Sequence, residues 1–167
     1  MTFRVLGIDP GLAETGWGIV DSDGTRHKYI AHGTVKTSSS LDPQIRLLDL
    51  SREIKAVISN YKPSGMGIET LFFTKNISSA LPVAQARGVI LLAAAESGLK
   101  VGEFSPTVIK QSVVGTGGAE KNQVQEMVKI LLGLSSVPRP DHAADALAAA
   151  VTFIHHGSLW LTVSAVQ

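Results

Sequence analysis

The sequence predicts an α/β domain: a mixed sheet of five strands with helices on its faces. Three observations carry that expectation. Residues 1–37 hold three strand-like segments, and the second and third are joined by the hairpin signal Asp23-Gly24. After them, helical and strand-like patterns alternate, giving the order βββαβαβ followed by helices. Two of the strand-like runs, "VLGID" and "MGIE", end on a lone acid, Asp9 and Glu69.

The elements follow in order. Residues 3–8 read as a buried strand, and 15–21 as a second in which Trp17, Ile19 and the glycines roughly alternate. "DSDGT", 21–25, supplies the turn, and 27–37 the third strand. Asp42 with Pro43 starts a helix over 43–60, whose Leu47, Leu50, Ile54, Val57 and Ile58 recur at helical spacing. "KPSG" breaks it before a short strand at 65–69. A helix spans 77–97 and stops at Gly98. Its Pro82 fits a start near Ser78 or Ser79, where a missing N–H costs nothing. A strand at 99–104, a short helix at 105–112, a glycine-rich loop and a helix from Lys121 to Leu132 come next. Asp141 caps a last helix, "HAADALAAAVTFIHH", which Gly157 ends; His155 and His156 sit in its solvated last turn. The expected domain is 1–157, with 158–167 as a tail of no clear periodicity.

Composition narrows the class. The 167 residues suit one domain, with 15 Lys and Arg against 14 Asp and Glu, so net charge neither demands nor excludes nucleic acid. Absence of cysteine removes disulfides and thiolate metal sites, and a reducing cytoplasm suits the chain. The N-terminus lacks a signal-peptide pattern, and the longest apolar run, 89–95, is too short to span a bilayer; no membrane partner is expected.

The lone acids carry the chemistry. A buried carboxylate costs several kcal/mol unless paired. If strands 1 and 4 lie side by side, Asp9 and Glu69 meet and repel, and a divalent cation relieves them. His142 and Asp145 are three apart on the last helix and share one face, above the apolar Leu147, Val151 and Ile154. Three carboxylates and an imidazole suit Mg²⁺ or Mn²⁺ better than Zn²⁺, and such clusters holding two ions hydrolyse phosphodiesters. Each residue alone has a plainer reading: Asp9-Pro10-Gly11 as turn chemistry, Glu69 as a solvated strand end. The joint pattern is the specific signal.

Five segments, "GIDPGLAETGWGIV", "GIETLFFTKN", "ALPVAQARGVILLAA", "VIKQSVVGTGGAEKNQVQEMV" and "DHAADALAAAV", resemble in order the RuvC family of bacterial Holliday-junction resolvases, over roughly residues 4–156. The resemblance implies an RNase H-like fold (ribonuclease H superfamily), a homodimer acting on four-way junction DNA in recombination and repair, and paired symmetric nicks. It also implies the branch-migration proteins RuvA and RuvB as partners; the carboxylate cluster itself leads to the expectation of two Mg²⁺ per active site, with Mn²⁺ accepted or preferred because it takes the nitrogen of His142 readily. By position Asp9, Glu69, His142 and Asp145 match the family's catalytic, metal-binding set. The commonest pattern has "DAAD" where this chain has "HAAD". Phe72 matches an aromatic used against bases at the junction centre; the plain reading places Phe72 or Phe73 in the core. Lys110 and Lys121 match basic residues beside the scissile strand, with Lys75 and Arg87 as further backbone contacts. The rivals are a YqgF-type relative, an actin-like ATPase (usually two such domains, more than 167 residues allow), and a junction-binding protein of the same fold with weakened catalysis.

Overall fold

A computed structural model describes residues 1–70 and 77–163, with the side chains of 158–163 outside that description. Five strands form one sheet in the order β3-β2-β1-β4-β5: β1 (Phe3–Asp9), β2 (Glu14–Ser22), β3 (His27–Lys36), β4 (Gly65–Glu69) and β5 (Lys100–Phe104). β1 pairs antiparallel with β2 and parallel with β4, and β4 pairs parallel with β5. This is the RNase H-like arrangement that the sequence led us to expect.

Pleating sorts the strands onto two faces. Leu6, Ile8, Met66 and Ile68 turn to one side and meet α1 (Pro43–Tyr61) and α2 (Ile77–Glu96) through Leu50, Ile54, Ala86 and Ile90. Val5 and Val20 turn to the other, where α3 (Pro106–Val114), α4 (Lys121–Leu131) and α5 (Asp141–Val163) contribute Ile109, Val128, Leu147 and Val151. Asp9 has the parity of Val5, so it lies on the α5 side.

What lets α5 settle there is a row of glycines. Gly18, Gly7, Gly67 and Gly102 are register partners across β2, β1, β4 and β5. A Cβ on Gly7 would lie 1.8 Å from the Ala146 carbonyl oxygen, and one on Gly67 2.4 Å from that of Ala149. Gly16, opposite Asp9, would bring a Cβ to 1.9 Å from the His142 carbonyl oxygen. The helix answers with buried alanines at 143, 144, 146, 148, 149 and 150. Backbone therefore rests on backbone, and the N-terminal end of α5 is pressed down beside Asp9.

Three local expectations change. Gly98 does adopt φ +70 and ends α2, but Gly157 has no positive φ and α5 runs through it to Val163. A helical glycine costs about 1 kcal/mol relative to alanine and breaks nothing by itself. Pro82 sits inside α2 rather than in its first turn. Asp42 does hold the expected N-cap position of α1, with no side-chain cap hydrogen bond. Asp141 is the first helical residue of α5 rather than its cap, and its carboxylate pairs with Arg139 and Lys121.

α2 as a whole is long and apolar enough to cross a membrane by length and composition, which the run at 89–95 alone did not indicate. Its inner face, Ala86, Ile90, Ala93 and Ala94, is buried in the core, while Ile77, Leu81 and Leu92 are exposed. Ile90 and Ala93 thus belong to the core and not to the outward face of α2.

Candidate metal centre

Asp9 ends β1 one residue beyond the last β1–β4 register pair, Ile8 with Ile68, so Glu69 ends β4 beside it. The turn after Asp9 does not use the carboxylate. Thr15 holds it instead, accepting from the Gly11 N–H at 3.1 Å and donating to the Gly11 carbonyl. The Asp9 side chain is only 13% exposed and takes a 2.8 Å hydrogen bond from His142 Nδ1. Ligand atoms of Asp9, His142 and Asp145 all lie within 4.8 Å of one another. α5 delivers the last two because His142 and Asp145 share its first turns and its Ala146 rests on Gly7.

The electrostatics are those of crowded carboxylates. Burial first, then the charge of Asp9 and a hydrogen bond with it, push Glu69 up to about 8. Burial and Asp9 also raise Asp145, against the opposing pull of Lys121. Burial pulls His142 down, but the hydrogen bond and charge of Asp9, with Glu14 and Asp145 behind it, outweigh that and leave it raised. In the absence of a cation the cluster therefore binds protons in place of positive charge. Such a donor set fits a hard divalent ion.

Lys121 reaches the same place. Its Nζ is 3.4 Å from Asp145 Oδ2 and 3.4 Å from Asp141 Oδ2. It is the first residue of α4, set by a capping box between Glu120 and Gln123. A lysine there opposes the helix dipole, so local helix chemistry does not account for it; the acids of α5 do. Those acids raise its pKa despite some burial.

The remaining basic candidates stand apart. Lys110 is half-buried on α3 and makes no ion pair among the described residues. Arg87 pairs with Glu103 across α2 and β5, so its charge is already engaged, and its Nε is buried without a hydrogen-bond partner. Phe72, Phe73 and Lys75 lie outside the described residues.

Glu14 went unremarked in the sequence. It opens β2, acts electrostatically on His142, and its Oε1 is buried without a hydrogen bond, with Lys36 4.0 Å away. The glycine row went unremarked too. Its signal was there: glycines on alternate positions of two strands, Gly16 and Gly18, Gly65 and Gly67, against an alanine-rich helix.

Comparison with known proteins agrees with this geometry. Residues 5–153 match the family described as "Crossover junction endodeoxyribonuclease RuvC". A protein of that name from Treponema denticola is 51% identical over 155 residues, covering 93% of this chain and 87% of its own. A structure of Thermus thermophilus RuvC superposes with TM-score 0.87 at 34% identity, covering 94% of this chain and 96% of that one. A second, T. thermophilus RuvC in complex with a Holliday junction substrate, gives 0.86 at 32% identity, covering 93% and 96%.

Proposed function

This chain belongs to the family of the crossover junction endodeoxyribonuclease RuvC, and from that premise we propose that it resolves four-way (Holliday) DNA junctions by paired, symmetric phosphodiester hydrolysis at the Asp9 cluster. The observation that carries the reading is the meeting of Asp9, His142 and Asp145 within 4.8 Å, with Glu69 alongside on the neighbouring strand.

Asp9, Glu69, His142 and Asp145 are the residues that would hold divalent ions, two per site, Mg²⁺ or Mn²⁺. When bound, such ions supply Lewis acidity, lowering the pKa of water and stabilising charge at the phosphate. The chain's own residues do the rest. An Nδ1–H donated to Asp9 fixes the His142 tautomer and leaves Nε2 with the lone pair, for a cation or for a proton taken from water. Asp9 in turn holds the ring in place. Lys121, kept charged by the acids around it, offers an ammonium to a phosphate oxygen at the same spot. Phe72 against an opened base, and Lys75, Arg87 and Lys110 along the backbone, complete the proposed DNA contacts, with Arg87 first having to leave Glu103. All four site groups stand together, which favours a working enzyme over a binding protein with weakened catalysis.

The assembly we propose is a homodimer through α2, whose Ile77, Leu81 and Leu92 leave apolar surface uncovered; two scissile strands call for two active sites. RuvA and RuvB would be its partners, in the cytoplasm. The test is single-turnover cutting of an end-labelled synthetic four-way junction in MgCl₂ or MnCl₂. Wild type should give paired nicks in opposed strands. Asp9→Asn should cut at no measurable rate yet still shift the junction on a gel in EDTA. Wild type that binds the junction and cuts in neither metal would leave only the binding-protein reading.

A further inference from the structure

Glu14 opens β2 and shares one face of that strand with Gly16, two residues on. Gly16 is where the N-terminal end of α5 rests, since a Cβ there would lie 1.9 Å from the His142 carbonyl oxygen. Glu14 stands roughly 6.5 Å further along the strand, just beyond that end of the helix. In register it faces Lys36, the last residue of β3.

Among the described residues, no hydrogen-bond donor reaches Glu14 Oε1, which is buried. The Lys36 ammonium is 4.0 Å away, past hydrogen-bonding distance, on a side chain 72% exposed. A buried carboxylate oxygen without a donor costs free energy, and an exposed ammonium at that range offsets little of it. The field of Glu14 does reach the Asp9 cluster. Burial lowers the pKa of His142, while Asp9, then Glu14, then Asp145 raise it. On the other flank the charge beside Asp145 is that of Lys121.

Two divalent ions carry four positive charges. Asp9, Glu69 and Asp145 answer with three negative ones, and an imidazole ligand at 142 adds none. Resting on the two-ion reading of this cluster, we propose that Glu14 is a further acid of the centre, one that bonds to no ion but supplies the fourth negative charge from the His142 side and so raises affinity for divalent cations. A partly buried charge is screened less than one on the open surface, so Glu14 acts without contact.

Mn²⁺ binding to the whole protein, read by electron paramagnetic resonance of the free ion, tests this without DNA or turnover. Glu14→Gln keeps the shape of the side chain and removes its charge; it should weaken Mn²⁺ binding by about tenfold. Glu14→Asp keeps the charge and should stay within about threefold of wild type. Lys36→Met removes an opposing charge and should bind Mn²⁺ at least as tightly as wild type. In EDTA, Glu14→Gln should melt no lower than wild type, because without ions this carboxylate only adds to the crowding of acids. Equal Mn²⁺ affinity of Glu14→Gln and wild type would overturn the proposal and leave the Asp9 centre standing. Weaker binding in Lys36→Met, or a lower melting point of Glu14→Gln in EDTA, would also overturn it, by showing that Glu14 acts as a structural partner of Lys36. A wild type that takes up no Mn²⁺ would remove the metal centre itself, and this inference with it.

Discussion

Gly7→Ala should disable cutting without touching any charged group. The new Cβ would lie 1.8 Å from the Ala146 carbonyl oxygen, 2.7 Å from Ala150 N and 2.9 Å from the Ala146 carbonyl carbon. All three atoms are main chain, so no rotamer change removes the clash. Reaching the 3.0 Å that real Cβ contacts respect requires α5 to lift by about 3.0 − 1.8 = 1.2 Å. Asp145 is the residue before Ala146, and His142 is one turn back. Moved as one body, the His142–Asp9 hydrogen bond would open from 2.8 Å to about 4.0 Å, beyond bonding range. A misplacement of about 1 Å in a catalytic constellation costs on the order of 100-fold in rate. Overpacking of this kind destabilises by about 1–3 kcal/mol, or roughly 2–12 °C in Tm for a chain of this size. The assay is single-turnover nicking of a four-way junction, with thermal melting in parallel. Gly157→Ala on the same helix is the control: its Cβ meets Phe153 at an ordinary 3.7 Å, and it should cut normally and melt no lower. Ala146→Gly should not rescue Gly7→Ala, because the clash is with the carbonyl. Gly7→Ala cutting at the wild-type rate with an unchanged Tm would refute the seating of α5 on the glycine row.

Other outcomes follow from the same site. Because imidazole replaces a carboxylate at 142, wild type should cut faster in Mn²⁺ than in Mg²⁺, His142→Asp should narrow that gap, and His142→Ala should lose most activity in both; equal rates for His142→Ala and wild type from pH 6 to 9 would remove the residue from the mechanism. The folded-state pKa of Glu69, about 8, lies above its ordinary 4.5. The folded chain thus holds this proton more tightly than the unfolded one. In EDTA, stability should fall as pH rises from 4.5 to about 8, by on the order of 1–4 kcal/mol. Glu69→Gln should flatten the fall, and a wild-type Tm in EDTA independent of pH over that window would contradict it. Leu92→Glu on α2 should shift sedimentation from dimer toward a ~18 kDa monomer; an unchanged dimer would place the interface elsewhere.

Most of the architecture was legible in the chain because the signals are local. Alternation and an Asp-Gly turn give the hairpin strands, and apolar spacing gives α1. The order of elements then leaves few ways to build the sheet. Asp9, Glu69, His142 and Asp145 could be named because charges at strand ends and on one helix face stand out against apolar surroundings. Gly157 misled because a glycine ends a helix only where the backbone takes positive φ, and that depends on whether the following chain has somewhere else to go. An apolar helix does not reveal which side meets the sheet, so only packing decides that Ile90 and Ala93 of α2 face inward. Distance was decided in tertiary structure alone. Periodicity puts His142 and Asp145 on one face of α5, but how near that face comes to Asp9 depends on the absence of side chains at Gly7, Gly16, Gly18 and Gly67. Residues far apart in sequence set that gap jointly, and a gap an ångström wider would leave the same acids as unconnected surface charges.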